Sequence, residues 1–367
     1  MLRRSARNDT LGGAVLKRRN PIVIILVLAV ALLGCVVVAV SFGAVAIPFS
    51  DVTRMLIARL PGINLSLGWS DTSTGLSISQ AEAIIFQIRL PRVVTAAVVG
   101  AALAAAGVVF QGLLRNPMAD PYIIGTSGGA ALGATIALLL PVQVVWLGFT
   151  LVPLAAFAGA LATVLVVYNI ARVGPRTPVT TLLLAGFAFS SMLAAVMSFL
   201  MLVSGHTLRR VVLWTMGGVT ASSWPQLRIV VPLILAGVAA AYALANDLNA
   251  FLLGEEQAAY LGVNVERRKL VLLMLGSLLT GAAVSVSGLV GFIGLVVPHV
   301  ARLVFGPDHR LLLPTSALMG SLFLVLADLI ARLLLAPAEI PVGIITAMIG
   351  APFFIYLLRR SKREYVF

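Results

Sequence analysis

The sequence predicts an all-α membrane protein with about ten transmembrane helices, an internal repeat and cytoplasmic N- and C-termini. Of its 367 residues, 60% are hydrophobic and only 11% are charged, and the mean hydropathy is +1.07. Soluble domains carry about a quarter charged residues. One bilayer crossing takes about 20 apolar residues, so this composition accommodates about ten crossings and leaves little chain for a soluble domain. Lipid offers no hydrogen-bond partners to the backbone, so the crossings are expected to be helices.

Apolar stretches bounded by charged residues, proline or glycine mark the expected helices. They fall at residues 22–46, 91–114, 122–140, 146–170, 180–203, 227–246, 269–287, 290–305, 312–335 and 342–358. The stretch at 290–305 is short and contains Pro298, which predicts a kinked or partly buried helix. The domain boundaries follow as a cytoplasmic tail over 1–20, a ten-helix region over 21–358 and a second cytoplasmic tail over 359–367.

Lysine and arginine residues predict the orientation. With the N-terminus inside and ten spans, 18 of the 26 basic residues lie in cytoplasmic segments and 8 lie outside. This bias satisfies the positive-inside rule. The first apolar run, about 25 residues long, exceeds the h-region of a cleaved signal peptide. The net charge of +13 therefore reflects orientation, and no nucleic-acid partner is needed to explain it.

A repeated glycine pattern predicts an internal duplication. Gly100-Ala-Ala, four residues and Gly107 recur as Gly281-Ala-Ala, four residues and Gly288, at an offset of 181. Pro117 and Pro298 follow at the same offset. Transporters are often built from two such repeats, which move against each other around a central pathway.

Several catalytic and metal-binding sites are excluded by the residues present. The single cysteine, Cys35, rules out a disulfide framework, and the three histidines lie far apart in the sequence. No metal site is therefore expected. The three lysines, Lys17, Lys269 and Lys362, do not follow a glycine, so the chain lacks the Gly-Lys-[Ser/Thr] sequence of a nucleotide-binding P-loop.

Asp328 is the clearest ionisable residue inside a predicted span. Arg332 follows one helical turn later and can form an ion pair with it. The alternatives are a proton relay or an intramembrane enzyme that uses Asp328. An enzyme of that kind would need a second acid or metal ligands at the same depth.

Three segments carry ordered motifs. Residues 89–130 contain Arg-Leu-Pro-Arg, Asn-Pro-Met-Ala-Asp-Pro and Gly-Thr-Ser-Gly-Gly-Ala, and residues 254–262 read Gly-Glu-Glu-Gln-Ala-Ala-Tyr-Leu-Gly. Residues 288–343 contain Gly-Leu-Val-Gly-Phe-Ile-Gly-Leu-Val-Val-Pro-His, Asp-His-Arg, Ala-Asp-Leu-Ile-Ala-Arg and Glu-Ile-Pro-Val-Gly. With these motifs the chain, over residues 85–358, resembles the permease subunits of ABC importers for iron-siderophores, haem and vitamin B12, the FecCD type.

The resemblance implies a multi-pass protein of the bacterial plasma (inner) membrane. It implies a homodimer of permeases bound to two ATPase subunits and an extracytoplasmic substrate-binding protein. The chain would be no enzyme and would bind no cofactor, because ATP and Mg²⁺ would be held by the partner ATPase. The expected cargo is a large iron chelate (a siderophore), with cobalamin or haem as alternatives. A stand-alone, ion-coupled secondary transporter is the alternative from another class.

The resemblance also implies roles for individual residues. Docking of the binding protein falls to Arg89, Arg92 and Arg332. The loop at about 248–269 would couple the permease to the ATPase. The residues implied in this contact are Gly254, Glu255, Glu256, Ala258, Leu261 and Gly262. A cytoplasmic gate falls to Asn116, Met118, Val179 and Thr180.

Each of these roles has a simpler alternative. The arginines can anchor helix ends at lipid headgroups, the coupling segment can be an ordinary amphipathic loop, and Asn116-Pro117 can simply end a helix. The residues alone predict a short helix over 251–261 with Gly262 as its C-cap. Residues 51–85 form a polar loop rich in serine and threonine, for which contact with the binding protein is the one expected role.

Overall fold

The computed structural model describes residues 20–361 apart from 44, 46, 60–76, 143, 144 and 147. The predicted tails lie outside the described residues except for Asn20 and residues 359–361. The helices are α1 (Pro21–Ser41), α2 (Phe49–Ala58), α3 (Ile78–Ala83), α4 (Leu90–Leu113), α5 (Thr126–Leu139), α6 (Leu151–Ala171), α7 (Val179–Val203), α8 (Leu208–Thr215), α9 (Trp224–Ala243), α10 (Ala245–Leu252), α11 (Glu255–Tyr260), α12 (Val265–Ser287), α13 (Ile293–Phe305), α14 (His309–Leu333) and α15 (Val342–Ser361).

In the described chain, seven helical segments are long and apolar enough to cross a membrane, and three shorter apolar helices accompany them. Each of the ten overlaps one predicted span. The mostly helical membrane architecture is thereby confirmed, while the number of crossings stays a prediction. Helix α13 contains Pro298 and buries its residues from Ile293 to Pro298, in line with the expected partly buried helix.

Helices α4 and α14 lie antiparallel and in very close contact. Near one end Arg92 contacts Asp328, and near the other a Cβ atom on Gly112 would lie 2.8 Å from His309 Nε2. Between these points a Cβ atom on Gly100 would lie 2.2 Å from the carbonyl oxygen of Gly320. Only glycine permits the two backbones to approach this closely. Lipid provides no hydrophobic driving force between helices, so close packing of this kind stabilises their contact.

Small residues of the Gly125–Gly133 segment also bring α5 and α6 together. A Cβ atom on Gly133 would lie 2.1 Å from the carbonyl oxygen of Ala155, and one on Gly129 would lie 2.1 Å from Thr163 Oγ1. The described residues between α5 and α6 include a feature that was not expected. Strands β1 (Val145–Trp146) and β2 (Phe149–Thr150) form an antiparallel hairpin, so the span predicted from 146 begins only at Leu151.

The loop predicted over 51–85 is helical at both ends, with residues 60–76 outside the described part. Helix α3 is followed by a π-helical turn, Ile84–Arg89, which leads directly into α4. Pro91 explains the wide turn, because its ring crowds the carbonyl four residues earlier and it has no N–H to donate. The second span is therefore preceded by a further helical segment.

The two prolines that share the 181-residue offset of the glycine repeat are not structurally equivalent. Pro117 is exposed in the turn after α4, whereas Pro298 is buried inside α13. Gly107 lies within α4, whereas Gly288 ends α12 at a φ of 62°. The 181-residue offset therefore joins positions with different backbone conformations. The matched proline does not support a duplication, and the internal repeat stays a prediction.

Candidate functional sites at the two ends of the helix bundle

A buried charge cluster lies at the predicted outer end of the bundle. Asp328 is fully buried, and Arg92 Nη2 lies 2.9 Å from its Oδ1. Arg332 Nε lies 3.0 Å from Asp328 Oδ2, an ion-pair contact whose angle departs from that of a hydrogen bond. Arg92 also donates to Glu339 Oε1 at 2.8 Å. The predicted Asp328–Arg332 pair is confirmed, and Arg92 is a second partner that the sequence did not predict.

Arg89 and Arg332 bind the C-terminal end of α1. Arg89 donates to the carbonyl oxygens of Val40 and Ser41, each at 2.9 Å, and to that of Val45. Arg332 donates to the carbonyl oxygens of Phe42 and Ala39, each at 3.0 Å. The last carbonyls of a helix lack intrahelical partners and carry partial negative charge, so cations are stabilising there. Most of α1 is exposed, but its last three residues are buried, and the two arginines bind the helix at this buried end.

The three arginines predicted to dock a binding protein are thus buried. Arg89, Arg92 and Arg332 are 6%, 8% and 7% exposed, and each has partners within the chain. The side chain of Glu339 is 42% exposed and covers Arg92 Nη1. A carboxylate from outside would therefore reach Arg92 by replacing Glu339. The docking role stays a prediction.

The predicted coupling segment lies at the other end, the predicted inner end. The single helix expected over 251–261 is wrong, because Gly254 interrupts it at a φ of 114°, which an L-residue rarely adopts. Helices α10 and α11 lie on either side of this break. Gly262 has a φ of 85° and its N–H donates to the carbonyl of Ala259, so it ends α11 as the sequence predicts.

Helix α11 presents different faces to the bundle and to solvent. Ala258 is fully buried and anchors the helix. Tyr260 and Leu261 are 84% and 64% exposed, and Glu256 is exposed beside them. Large apolar side chains exposed outside the apolar spans indicate a surface that a partner covers.

The predicted gate residues lie at the same end as α11. Asn116 and Met118 lie in the turn after α4, where Asn116 Oδ1 accepts a hydrogen bond from the Met118 N–H at 2.9 Å. Val179 and Thr180 begin α7 directly after Pro178. Leu113, at the end of α4, lines one small cleft together with Val179. The structure thus brings the two gate segments to the same end of the bundle.

Sequence reasoning missed two sets of polar contacts, one between α4 and α13 and the other between α10 and α14. The Gln111 amide donates to the carbonyl of Leu295 at 3.1 Å, and its Oε1 accepts from Arg302 Nη1 at 2.9 Å. Asn249 Oδ1 accepts from the His309 N–H at 2.9 Å and lies 2.8 Å from His309 Nδ1. A glutamine at the end of an apolar stretch was the available signal, since a buried amide requires partners.

The proton position on His309 follows from these contacts. Asn249 Nδ2 donates to Asp308 Oδ1 at 2.7 Å, so Asn249 Oδ1 is the acceptor and His309 Nδ1 carries the proton. His309 Nε2 is buried without a partner, which suits the bare lone pair of a neutral ring. Desolvation raises the pKa of Asp308, but the hydrogen bonds from Asn249 and the Arg310 N–H lower it below its usual value.

Helix α7, by contrast, carries no ionisable side chain over its 25 residues, and most of its surface is exposed. Among the described residues no group of three histidine, cysteine or acidic side chains could hold a metal ion. A bundle of apolar helices whose few buried charges are paired is typical of a multi-pass membrane protein. The chain belongs to the FecCD transport family, whose sequence profile matches residues 26–360.

Similar proteins agree with this assignment. The cobalamin import system permease protein BtuC of Halobacterium salinarum is 47% identical, over 90% of this chain and 88% of its own. The hemin transport system permease protein HmuU of Yersinia pestis is 44% identical, over 77% and 84%. The Fe(3+) dicitrate transport system permease protein FecD of Escherichia coli is 36% identical, over 93% and 99%.

A solved structure shares the fold. It is an inward-facing ABC transporter assigned to the metal-chelate type, with a TM-score of 0.76 and 31% identity, covering 92% of this chain and 99% of its own. The predicted resemblance is confirmed: the protein is a multi-pass permease subunit of an ABC importer in the plasma membrane. Permeases of this family work with ATPase and binding-protein partners.

Proposed function

We propose that this chain forms the translocation pathway for a large iron chelate of the siderophore type. The match to the FecCD family over residues 26–360 is the observation that carries the proposal. Cobalamin is the second candidate, since the relative at 47% identity is named as a cobalamin permease, and haem is the third. These cargoes are all large, which suits a pathway between whole subunits more than a narrow pore.

The proposed arrangement in the membrane has ten crossings over residues 21–358, with the tails over 1–20 and 359–367 in the cytoplasm. The antiparallel contact of α4 with α14 supports it, because these helices are the second and ninth of the ten proposed crossings and must run in opposite directions. In this arrangement the arginine cluster lies at the outer end of the bundle and α11 at the inner end. Two copies of the chain would pair, with two ATPase subunits below and one binding protein above. ATP and Mg²⁺ would bind to the ATPases, and this chain would hydrolyse nothing itself.

Helix α11 is the proposed contact with the ATPase. Its exposed Tyr260 and Leu261 are supported from behind by the buried Ala258, so the helix offers an apolar surface on a fixed base. Asn116, Met118, Val179 and Thr180 are the proposed gate, supported by the common cleft of α4 and α7. Closure of the ATPases on ATP would move α11 and thereby open or shut this gate.

The first test is a mild-detergent purification of the tagged chain from its native membrane, with mass spectrometry of the proteins retained. Recovery of a P-loop ATPase in near-equal amount supports the proposal. A chain recovered alone that still transports on an ion gradient without ATP would establish the secondary-transporter alternative.

Replacing Leu261 with aspartate is expected to abolish retention of the ATPase, because a charge then enters the apolar contact surface. Val145→Asp is the matched control, since Val145 is 69% exposed at the predicted outer end and takes the same chemical change. Retention of the ATPase by the Leu261 variant at the level of the control would show that α11 is not the contact.

Docking of the binding protein can be tested at Glu339, which covers Arg92 Nη1. If a carboxylate of the binding protein replaces Glu339, Glu339→Gln is expected to lower the Kd of the binding protein, because a weaker competitor then holds Arg92. Glu82→Gln controls for the loss of one negative charge at the same end, since Glu82 forms an ion pair with the exposed Arg59 in the part of the chain that the structure describes. Equal Kd values for the two variants would make Arg92 a structural residue alone.

A further inference from the structure

Lys269 occupies an unusual position at the inner end of α12. It is 7% exposed, and its ammonium group contacts acceptors from three different segments. Its Nζ lies 2.7 Å from Glu255 Oε2 on α11 and 3.2 Å from Glu266 Oε1 on α12, and it donates to the carbonyl oxygen of Thr177 at 3.3 Å. The contacts to Thr177 and Glu266 are hydrogen bonds, and the contact to Glu255 is an ion pair.

Thr177 is held through both of its backbone polar groups. Its carbonyl accepts from Lys269, and its N–H donates to Glu266 Oε2 at 3.0 Å. Thr177 is 4% exposed and lies two residues before Val179, the first residue of α7. Lys269 and Val179 also line the same small cleft. The start of the gate helix is therefore attached to side chains of α12.

Glu255 connects this attachment to the coupling helix. The turn between α11 and α12 contains Gly262, which has a φ of 85° and no atom within 4 Å of an added Cβ. The Glu255–Lys269 ion pair joins the two helices across this turn. Because Lys269 is buried, separating Glu255 from it is unfavourable, whereas moving both together keeps the contact.

We infer that Lys269 is a positioning residue that passes displacement of α11 to the first turn of α7, through the contacts Glu255–Lys269–Thr177. Hydrogen-bonded and ion-paired chains of this kind can carry coupling between two sites when both sites bias the same element. The inference rests on the proposed function, since α11 must be the helix that the ATPase moves. It adds a defined route from the coupling helix to the gate.

The neighbouring residue supplies a matched control. Arg268 Nε pairs with Asp247 Oδ2 of α10 at 3.2 Å, but its side chain is 43% exposed. Arg268→Met thus removes one cation from the same turn of α12 without breaking the contact to Thr177. Lys269→Arg keeps the charge at the buried position and serves as the conservative variant.

The experiment measures movement at α7 without requiring the cargo. Cys35 is the only cysteine, so Cys35→Ser with Thr180→Cys leaves a single thiol at the exposed start of α7. The complex purified with its ATPases is labelled with a fluorescent maleimide, with and without vanadate-trapped ATP, and the rate is read in the permease band. This background is expected to show a nucleotide-dependent change in the labelling rate.

Lys269→Met is expected to lose that change while the ATPases remain bound and hydrolyse ATP, and Lys269→Arg and Arg268→Met are expected to keep it. Glu255→Gln is also expected to lose the nucleotide-dependent change. In this variant Lys269 and Glu266 still hold Thr177, so Glu255→Gln tests the inference even if the Lys269→Met complex fails to assemble. An unchanged response in both Lys269→Met and Glu255→Gln overturns the inference. So does a background complex that hydrolyses ATP with no change at α7. Absence of any bound ATPase contradicts the proposed function instead.

Discussion

Asp328→Ala is expected to be the most destabilising single substitution in this protein. Asp328 is fully buried and lies against both Arg92 and Arg332, so its removal leaves two buried cations close together. Breaking a buried ion pair by removing one partner costs about 3–5 kcal/mol of folding free energy. The thermal midpoint of the detergent-solubilised permease, read as the loss of the monodisperse peak on heating, is the measurement.

Two comparisons make the Asp328 prediction specific. Glu82→Ala removes an acid whose partner, Arg59, is 3.9 Å away, with side chains that are 64% and 32% exposed; such a surface pair is worth at most about 1 kcal/mol. Asp328→Asn keeps the shape of the side chain and part of its hydrogen bonding, so a smaller loss of stability than in Asp328→Ala is expected. Loss of all transport in Asp328→Asn at an unchanged thermal midpoint would favour the proton-relay or enzyme alternative over a structural ion pair.

Gly100→Ala is expected to produce the second-largest loss of stability, because it forces α4 and α14 apart. The added Cβ atom would lie 2.2 Å from the backbone oxygen of Gly320, and a backbone atom cannot turn away as a side chain can. Overpacking of a tight interior costs about 1–3 kcal/mol, and a contact this short lies toward the upper end. The same thermal measurement applies, together with the yield of folded protein.

Gly34→Ala is the matched control for Gly100→Ala. Gly34 lies in α1, and no atom lies within 4 Å of a Cβ built on it. Alanine is the better helix former, so the thermal midpoint of this variant is expected to be unchanged or slightly higher. If Gly100→Ala matched Gly34→Ala, the α4–α14 contact would have to be looser than the structure shows.

The buried arginines change how docking is tested. Charge reversal at Arg89 or Arg92 would remove partners of Asp328 or of the α1 carbonyls, so the protein would lose stability whether or not these residues dock a partner. Glu339 is the useful position because its side chain is exposed and its loss leaves Asp328 fully paired with both arginines.

The membrane class and the positions of the helices could be predicted from the sequence alone. Hydrophobic stretches of sufficient length have few alternatives to helices in lipid, because the backbone must satisfy its own hydrogen bonds there. Local rules also predicted Gly262 as a helix end and Asp328 with Arg332 as an ion pair one turn apart. The ordered motifs then indicated the family, which the profile match over residues 26–360 confirms.

Only the tertiary structure decided which charged groups meet. Arg92 and Asp328 are 236 residues apart, and Lys269 and Thr177 are 92 apart, so no local pattern predicts either contact. The break at Gly254 and the nonequivalence of Pro117 and Pro298 likewise depend on backbone conformations that packing selects. The hydropathy of a segment predicts whether that segment crosses the membrane, and it can be read for each helix separately. The partners of a buried charge depend instead on which helices lie side by side.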